Sequence, residues 1–173
     1  LLPFSALLLT PVFGGISDKK GKAATIMLSG SVLLVIVHLL FSIPSLNSFP
    51  IAIGLVILLG IAFSLVPSAM WPSVAKIIPN SKLGTAYAMI FWVQNIGLML
   101  VPLLIGAVLD KYCITGTISK IVDGQEQLIT QYNYTIPMLI FAFFGFLAIG
   151  FAYLLKHEDH RMGYGLEKPN IKE

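Results

Sequence analysis

The chain has 173 residues, 57% of them hydrophobic and 11% charged, and its mean hydropathy is +0.88. A soluble domain is about 25% charged, so the apolar excess must face lipid rather than fill one core in water, and lipid admits only segments that satisfy their own backbone groups. The net charge of +3 does not indicate nucleic acid, because the basic residues fall in short stretches between apolar runs instead of on one folded surface.

In chain order, Leu1 to Ile16 is apolar but short, and reads as the end of a helix cut at its start. The chain opens inside this run with no initiator Met and no charged leader, so it is expected to be a fragment of a longer protein. Next comes Gly14-Gly15-Ile16-Ser17-Asp18-Lys19-Lys20-Gly21-Lys22. Gly14 is expected to let a neighbouring helix approach closely. Asp18 is expected to meet the dipole of the next helix or a partner cation. Gly21 suits a turn, and Lys19, Lys20 and Lys22 suit an anionic leaflet. The lysines alone fit a charged turn that fixes topology; Asp18 between the two glycines favours a gate.

Ala23 to Ile43, Pro50 to Ile77, Gly84 to Leu109 and Tyr134 to Leu155 are each long enough to cross a bilayer, which takes about 20 helical residues for ~30 Å. Alternating strand patterns are absent, and no charged side chain lies mid-span, so no carboxylate is placed to carry a coupling proton. His38, alone in its span, reads as a structural histidine. Ser29, Ser31, Ser64 and Ser68 are expected in helix-packing contacts. Pro67 and Pro72 each remove a backbone bond and loosen the helix between them. Trp71 beside that bend is either a cavity wall or an interfacial anchor.

In the next span Tyr87, Phe91, Gln94, Asn95 and Leu98 share one helical face. Mid-span amides cannot face lipid, so Gln94 and Asn95 either join helices or line a cavity. The flanking aromatics favour the cavity, with Trp71 and Tyr87 as supporting walls. Of the two amides, Asn95 most nearly shares the face of Tyr87, while Trp92 points to lipid. Asp110 to Asn133 is the longest loop, with three acids, and Asn133-Tyr134-Thr135 is a glycosylation acceptor too close to the membrane to carry a glycan. Cys113 is the single cysteine and gives no disulfide. After Leu155 the chain reads as a solvated tail. His157 and His160, beside Glu158 and Asp159, offer at most a weak metal site, so no metal or cofactor is expected.

Alternate sides of the membrane carry nine Lys/Arg against two, Lys111 and Lys120. The loop from Pro44 to Phe49, including Asn47, carries none, whereas the tail carries Lys156, Arg161, Lys168 and Lys172. The side with the Lys20 turn and the C-terminus is therefore expected in the cytoplasm.

Gly14-x-x-x-Asp18-Lys19-x-Gly21-Lys22 resembles the cytoplasmic signature of the major facilitator superfamily, which follows the second helix of that family and, in weaker form, the eighth. Four spans follow it here, which matches helices eight to twelve of a twelve-helix fold. Ala23 and Ala24 interrupt the usual longer basic run, as suits the weaker copy. A second block, Trp71-Pro72-Ser73-Val74-Ala75, Ile78-Pro79, Leu83-Gly84-Thr85-Ala86-Tyr87 and Gln94-Asn95-Ile96-Gly97, resembles the branch of lysosomal dipeptide uniporters and their microbial relatives.

The resemblance implies an all-α polytopic membrane protein with about five of the family's helices. Residues 1–156 would form a C-terminal bundle and 157–173 a cytoplasmic tail. It further implies transport of a small organic solute by alternating access, with dipeptide uniport as the specific form. The partners would be the solute, the bilayer and the missing N-terminal half of the same transporter, in a bacterial inner membrane or a lysosomal membrane. The alternative is a non-transporting receptor or scaffold that keeps the fold. A membrane enzyme is not indicated, because the sequence has no Gly-x-Ser-x-Gly elbow, no His-Glu-x-x-His site, no phosphate loop and no intramembrane Asp pair.

The charge asymmetry gives a labelling prediction. In intact cells Ser45→Cys reacts with an impermeant thiol reagent added outside and Lys20→Cys does not; the reverse pattern overturns the orientation.

Overall fold

The computed structural model describes residues 2–46, 48–122 and 125–170; Leu1, Asn47, Asp123 and Lys172, which entered the sequence reading, lie outside the described residues. The described residues form five α-helices, α1 Leu2–Lys20, α2 Ala23–Phe41, α3 Phe49–Ile77, α4 Leu83–Tyr112 and α5 Thr135–Met162, with a two-stranded hairpin between α4 and α5. The last four are long and apolar enough to cross a membrane.

The boundaries follow from local chemistry. Gly21 and Lys22 both adopt left-handed backbone, φ 71° and 63°, and break the chain between α1 and α2. Pro50 sits in the first turn of α3, where its missing N–H removes no helical bond. Ile78 is extended at φ −103° and ψ 133°, as a residue before proline prefers, and ends α3 ahead of Pro79. Inside α3, Pro67 and Pro72 leave the helix continuous. At the start of α5, Asn133 Oδ1 accepts the Thr135 N–H at 2.9 Å, and Thr135 Oγ1 donates to the Ser42 carbonyl at 3.1 Å, which ties α5 to the end of α2.

The helices order themselves α1, α3, α2, α5, with α4 touching α3 and α5 only sparsely. Small residues let these neighbours close up. A Cβ added to Gly30 would lie 3.0 Å from Leu65 Cβ and Val66 Cγ2 of α3, and one added to Gly145 would lie 2.6 Å from Val35 Cγ2 of α2. One added to Gly60 would collide with Ser5 of α1. At Gly14, where close approach is expected, an added Cβ meets nothing within 4 Å among the described residues. The serines are only partly as expected. Ser31, Ser64 and Ser68 are buried between helices, and their hydroxyls donate to their own helix, to Met27, Gly60 and Leu65 carbonyls at 2.7 to 2.9 Å, while Ser64 also reaches across to the Ser5 carbonyl of α1 at 3.5 Å. Ser29 likewise donates to Thr25 at 3.0 Å.

Two further expectations change. The segment 110–133 is no irregular loop. After α4 it forms an antiparallel hairpin, β1 Ile114–Val122 and β2 Gln125–Tyr132, with Thr117 opposite Thr130 and Ile118 opposite Ile129. Neither face of it is buried, so no alternating pattern was imposed on its sequence. And α5 runs past Leu155 to Met162, which puts His157 and His160 on a helix rather than in a loose tail. Among the described residues no group of three His, Cys, Asp or Glu gathers to hold a metal. His38 is structural: Nδ1 donates to the Leu34 carbonyl at 2.7 Å and the ring packs on Phe141 at 5.4 Å between centroids.

Gly145 tests the role of close approach. Gly145→Leu forces a branched chain against Val35 and is expected to cost about 1–3 kcal/mol by overpacking, read as a lower melting temperature in detergent. Gly150→Leu, in open space on the same helix, is expected to leave the melt unchanged.

Candidate functional site

Two places gather the residues singled out by sequence. The first lies where α3 ends and α4 begins. Trp71, half-buried in α3, stacks on Phe91 of α4 at 4.9 Å between centroids with the rings 26° apart. Tyr87, one turn earlier on α4, packs on the same indole at 5.8 Å between centroids and donates its hydroxyl to the Trp71 backbone carbonyl at 3.0 Å. The i, i+4 spacing of Tyr87 and Phe91 puts both rings on the face that meets Trp71. This cluster is the firm link between α4 and its neighbours. Trp92 points outward, 67% exposed.

One turn beyond Phe91, Gln94 lines a groove of about 680 Å³ between α4 and α5. Its walls are Gly97, Leu98, Val101, Pro102, Ile105, Gly106 and Leu109 of α4, with Phe141 of α5 opposite. Gln94 is the polar side chain of this lining. Its amide can both donate and accept, which suits a solute carrying both kinds of group. Asn95 does not line the groove; its Nδ2 donates to the Phe91 carbonyl at 2.7 Å on its own helix. Of the two amides, the sequence favours Asn95, whereas this groove is lined by Gln94. Adjacent helical residues point about 100° apart, and the groove opens on the Gln94 side.

The second place is the α1–α2 turn. Asp18 belongs to the last turn of α1, and among the described residues it forms no ion pair. Its carboxylate accepts from Asn170 Nδ2, and its carbonyl accepts the Asn170 N–H at 2.8 Å. Lys19, Lys20 and Lys22 are exposed around it. Gly21 lies under the C-terminal segment: a Cβ there would sit 2.6 Å from the Glu167 carbonyl oxygen.

The carboxylate at the N-terminus of α2 is Glu167, which the sequence reading missed. Its Oε1 accepts the Thr25 N–H and its Oε2 the Thr25 hydroxyl, both at 2.9 Å. Lys156 Nζ donates to the same Thr25 oxygen at 2.8 Å. The available signal was the Gly163-Tyr164-Gly165-Leu166 run, two apolar side chains spaced by glycines just before the charged pair Glu167-Lys168.

Comparison with known proteins follows the same outline. The model of the Major Facilitator Superfamily matches residues 1–169. The lysosomal dipeptide transporter MFSD1 of Homo sapiens is 35% identical over 103 residues, covering 60% of this chain and 21% of that protein. Its Gallus gallus counterpart is 36% identical over 102 residues, 59% of this chain and 22% of that protein. The inner membrane transport protein YdiN of Escherichia coli (strain K12) is 32% identical over 99 residues, 56% of this chain and 22% of that protein. The matched stretch spans about a fifth of the length of these relatives.

The Tyr87 hydroxyl supplies a clean test of the aromatic link. Tyr87→Phe keeps the ring and removes one hydrogen bond, so stability is expected to fall by about 0.5–1.5 kcal/mol. Tyr87→Leu, which also removes the ring contact, is expected to fall further. Thermal unfolding of both purified variants checks the order.

Proposed function

This chain belongs to the major facilitator superfamily, and from that premise we propose that it forms part of a carrier that moves a small organic solute across a membrane by alternating access. Dipeptides, moved by uniport, are the proposed class. The observation that carries this reading is Gln94, a lone amide in an otherwise apolar groove beside the Trp71, Tyr87 and Phe91 cluster. An amide set mid-span is unsatisfied in lipid and is retained where it meets protein, water or cargo. A dipeptide presents donors and acceptors that one amide can serve without fixing a charge. The relatives named as dipeptide transporters support the class.

The α1–α2 turn, with Gly14, Asp18, Lys19, Gly21 and Lys22, is proposed as part of the gate on the cytoplasmic side. The nine-to-two excess of basic residues supports that orientation. A complementary helix bundle of the same protein would supply the rest of the cavity, in a lysosomal or a bacterial inner membrane. The chain is read as a carrier and not an enzyme because its family is one of transporters.

Gln94→Leu tests the assignment at nearly constant volume. In the intact protein reconstituted in liposomes, apparent affinity for a labelled dipeptide is expected to fall by about 1–3 kcal/mol, some 5–150-fold. Asn95→Leu is expected to change affinity less and melting temperature more, because its amide serves its own helix. A Gln94→Leu protein with normal affinity and a lower melting temperature would make that residue helix glue and remove it from the cavity.

A further inference from the structure

At the end of the bundle that carries the α1–α2 turn, residues 163–170 leave α5 and fold back over the helix ends. Gly163 at φ 71° stops α5, and Gly165 at φ 79° turns the chain inward. The next residue, Leu166, is 0% exposed and sits among Ala23, Ala24 and Met27 of α2, Ala69 of α3 and Ala152 of α5. Tyr164 packs beside it, half-buried. The Leu166 N–H donates back to Asp159 Oδ1 at 2.9 Å.

The polar contacts reach four helices. The N–H groups of Lys22 and Ala23 donate to the Glu167 and Leu166 carbonyls at 3.2 and 3.0 Å. Glu167 holds Thr25 through both carboxylate oxygens, and Asn170 holds Asp18. From the end of α3, Lys76 Nζ donates to the Gly165 and Lys168 carbonyls at 3.0 and 2.9 Å. One eight-residue segment thus binds the last turn of α1, the first turn of α2, the last turn of α3 and the end of α5. It does so with a single fully buried side chain, hydrogen bonds at the rim and glycine pivots where it leaves α5. A segment so built can lift as a unit without unfolding a helix.

We propose that residues 163–170 are a latch on the α1–α2 turn. Docked, the latch fixes Gly21, Lys22 and Asp18 and ties α1 and α2 to α3 and α5. Lifted, it frees these ends to separate. Its consequence for transport rests on the carrier reading: the turn end opens only when the latch lifts.

Two measurements on the intact protein test this. In the first, Asp18→Cys with Asn170→Cys places a disulfide where the two backbones already meet at 2.8 Å. Oxidised and reduced forms of the same variant are then compared in liposomes. Efflux of a labelled dipeptide is expected to fall at least tenfold on oxidation and to recover with reductant; equal efflux in the two forms overturns the latch. In the second, Leu166→Asp undocks the segment without a cross-link. The amides of Lys22, Ala23 and Thr25 are expected to exchange hydrogen at least tenfold faster than in wild type, while amides in the middle of α2 stay protected. Unchanged exchange at those three, or lost protection along all of α2, overturns the latch. Exchange is read without transport. If wild type carries no dipeptide, the carrier reading fails and exchange alone decides the latch; the same measurement decides it if the reduced variant is inactive.

Discussion

The close approach of α2 to α3 and α5 is the contact on which the bundle depends. Lipid is as apolar as leucine, so burial gives membrane helices little reason to associate, and cohesion must come from backbones that come near enough for dispersion to add up. Gly30 brings α2 onto Leu65 and Val66, and Gly145 lets α5 settle on Val35. The buried residues of α2 are accordingly small or β-branched: Ala23, Ala24, Gly30, Ser31, Val35 and Val37, with Met27. The large apolar side chains point the other way, Phe4, Leu7, Phe63, Phe143 and Phe151 among them, as a lipid-facing surface requires.

Once α2 is fixed, its start must be completed. The first N–H groups of any helix lack partners within it. Here the C-terminal segment supplies them: two carbonyls for Lys22 and Ala23, and a carboxylate for Thr25. A carboxylate near a helix N-terminus gains about 0.3–1 kcal/mol, and up to ~2 when partly buried. Asp18 has the opposite setting. It stands in the last turn of its own helix, where the dipole disfavours a negative charge, and its hydrogen bonds to Asn170 hold it there. Glu167 and Asp18 thus depend on the same segment, one supplied by it and the other held by it.

The sequence made the spans legible because lipid permits no other reading of such long apolar runs, and their ends are marked by Gly21, Pro50, Pro79 and the lysines. The aromatic face of α4 was legible for the same reason: a 3.6-residue period survives whatever the helix packs against. What stayed hidden depends on contacts far apart in the chain. Glu167 and Thr25 are 142 positions apart, and a polar stretch containing one leucine looks solvated until that leucine is seen in a core. The hairpin was missed because exposed strands carry no burial pattern, although Ile114, Thr115, Thr117, Ile118, Ile121 and Val122 carry the branched composition of strands. Composition cannot tell which side of a helix meets a neighbour in this chain, and here Gly30, Gly60 and Gly145 do the packing.

These constraints divide the bundle. α1, α3, α2 and α5 are joined by close packing and by one shared segment at the turn end. α4 is held mainly by the Trp71 cluster near its start and is otherwise open. Its polar groups are concentrated just beyond that cluster. Gln94 and Asn95 are amides, and Pro102 has no N–H to give the Leu98 carbonyl, so that carbonyl lacks its usual i+4 donor one turn from Gln94. In hydrocarbon such groups would each cost several kcal/mol. Leu98 and Pro102 line the same groove as Gln94. The side of α4 that faces the groove toward α5 therefore sets the Gln94 amide among apolar walls, while the amide of Asn95 is spent on its own helix.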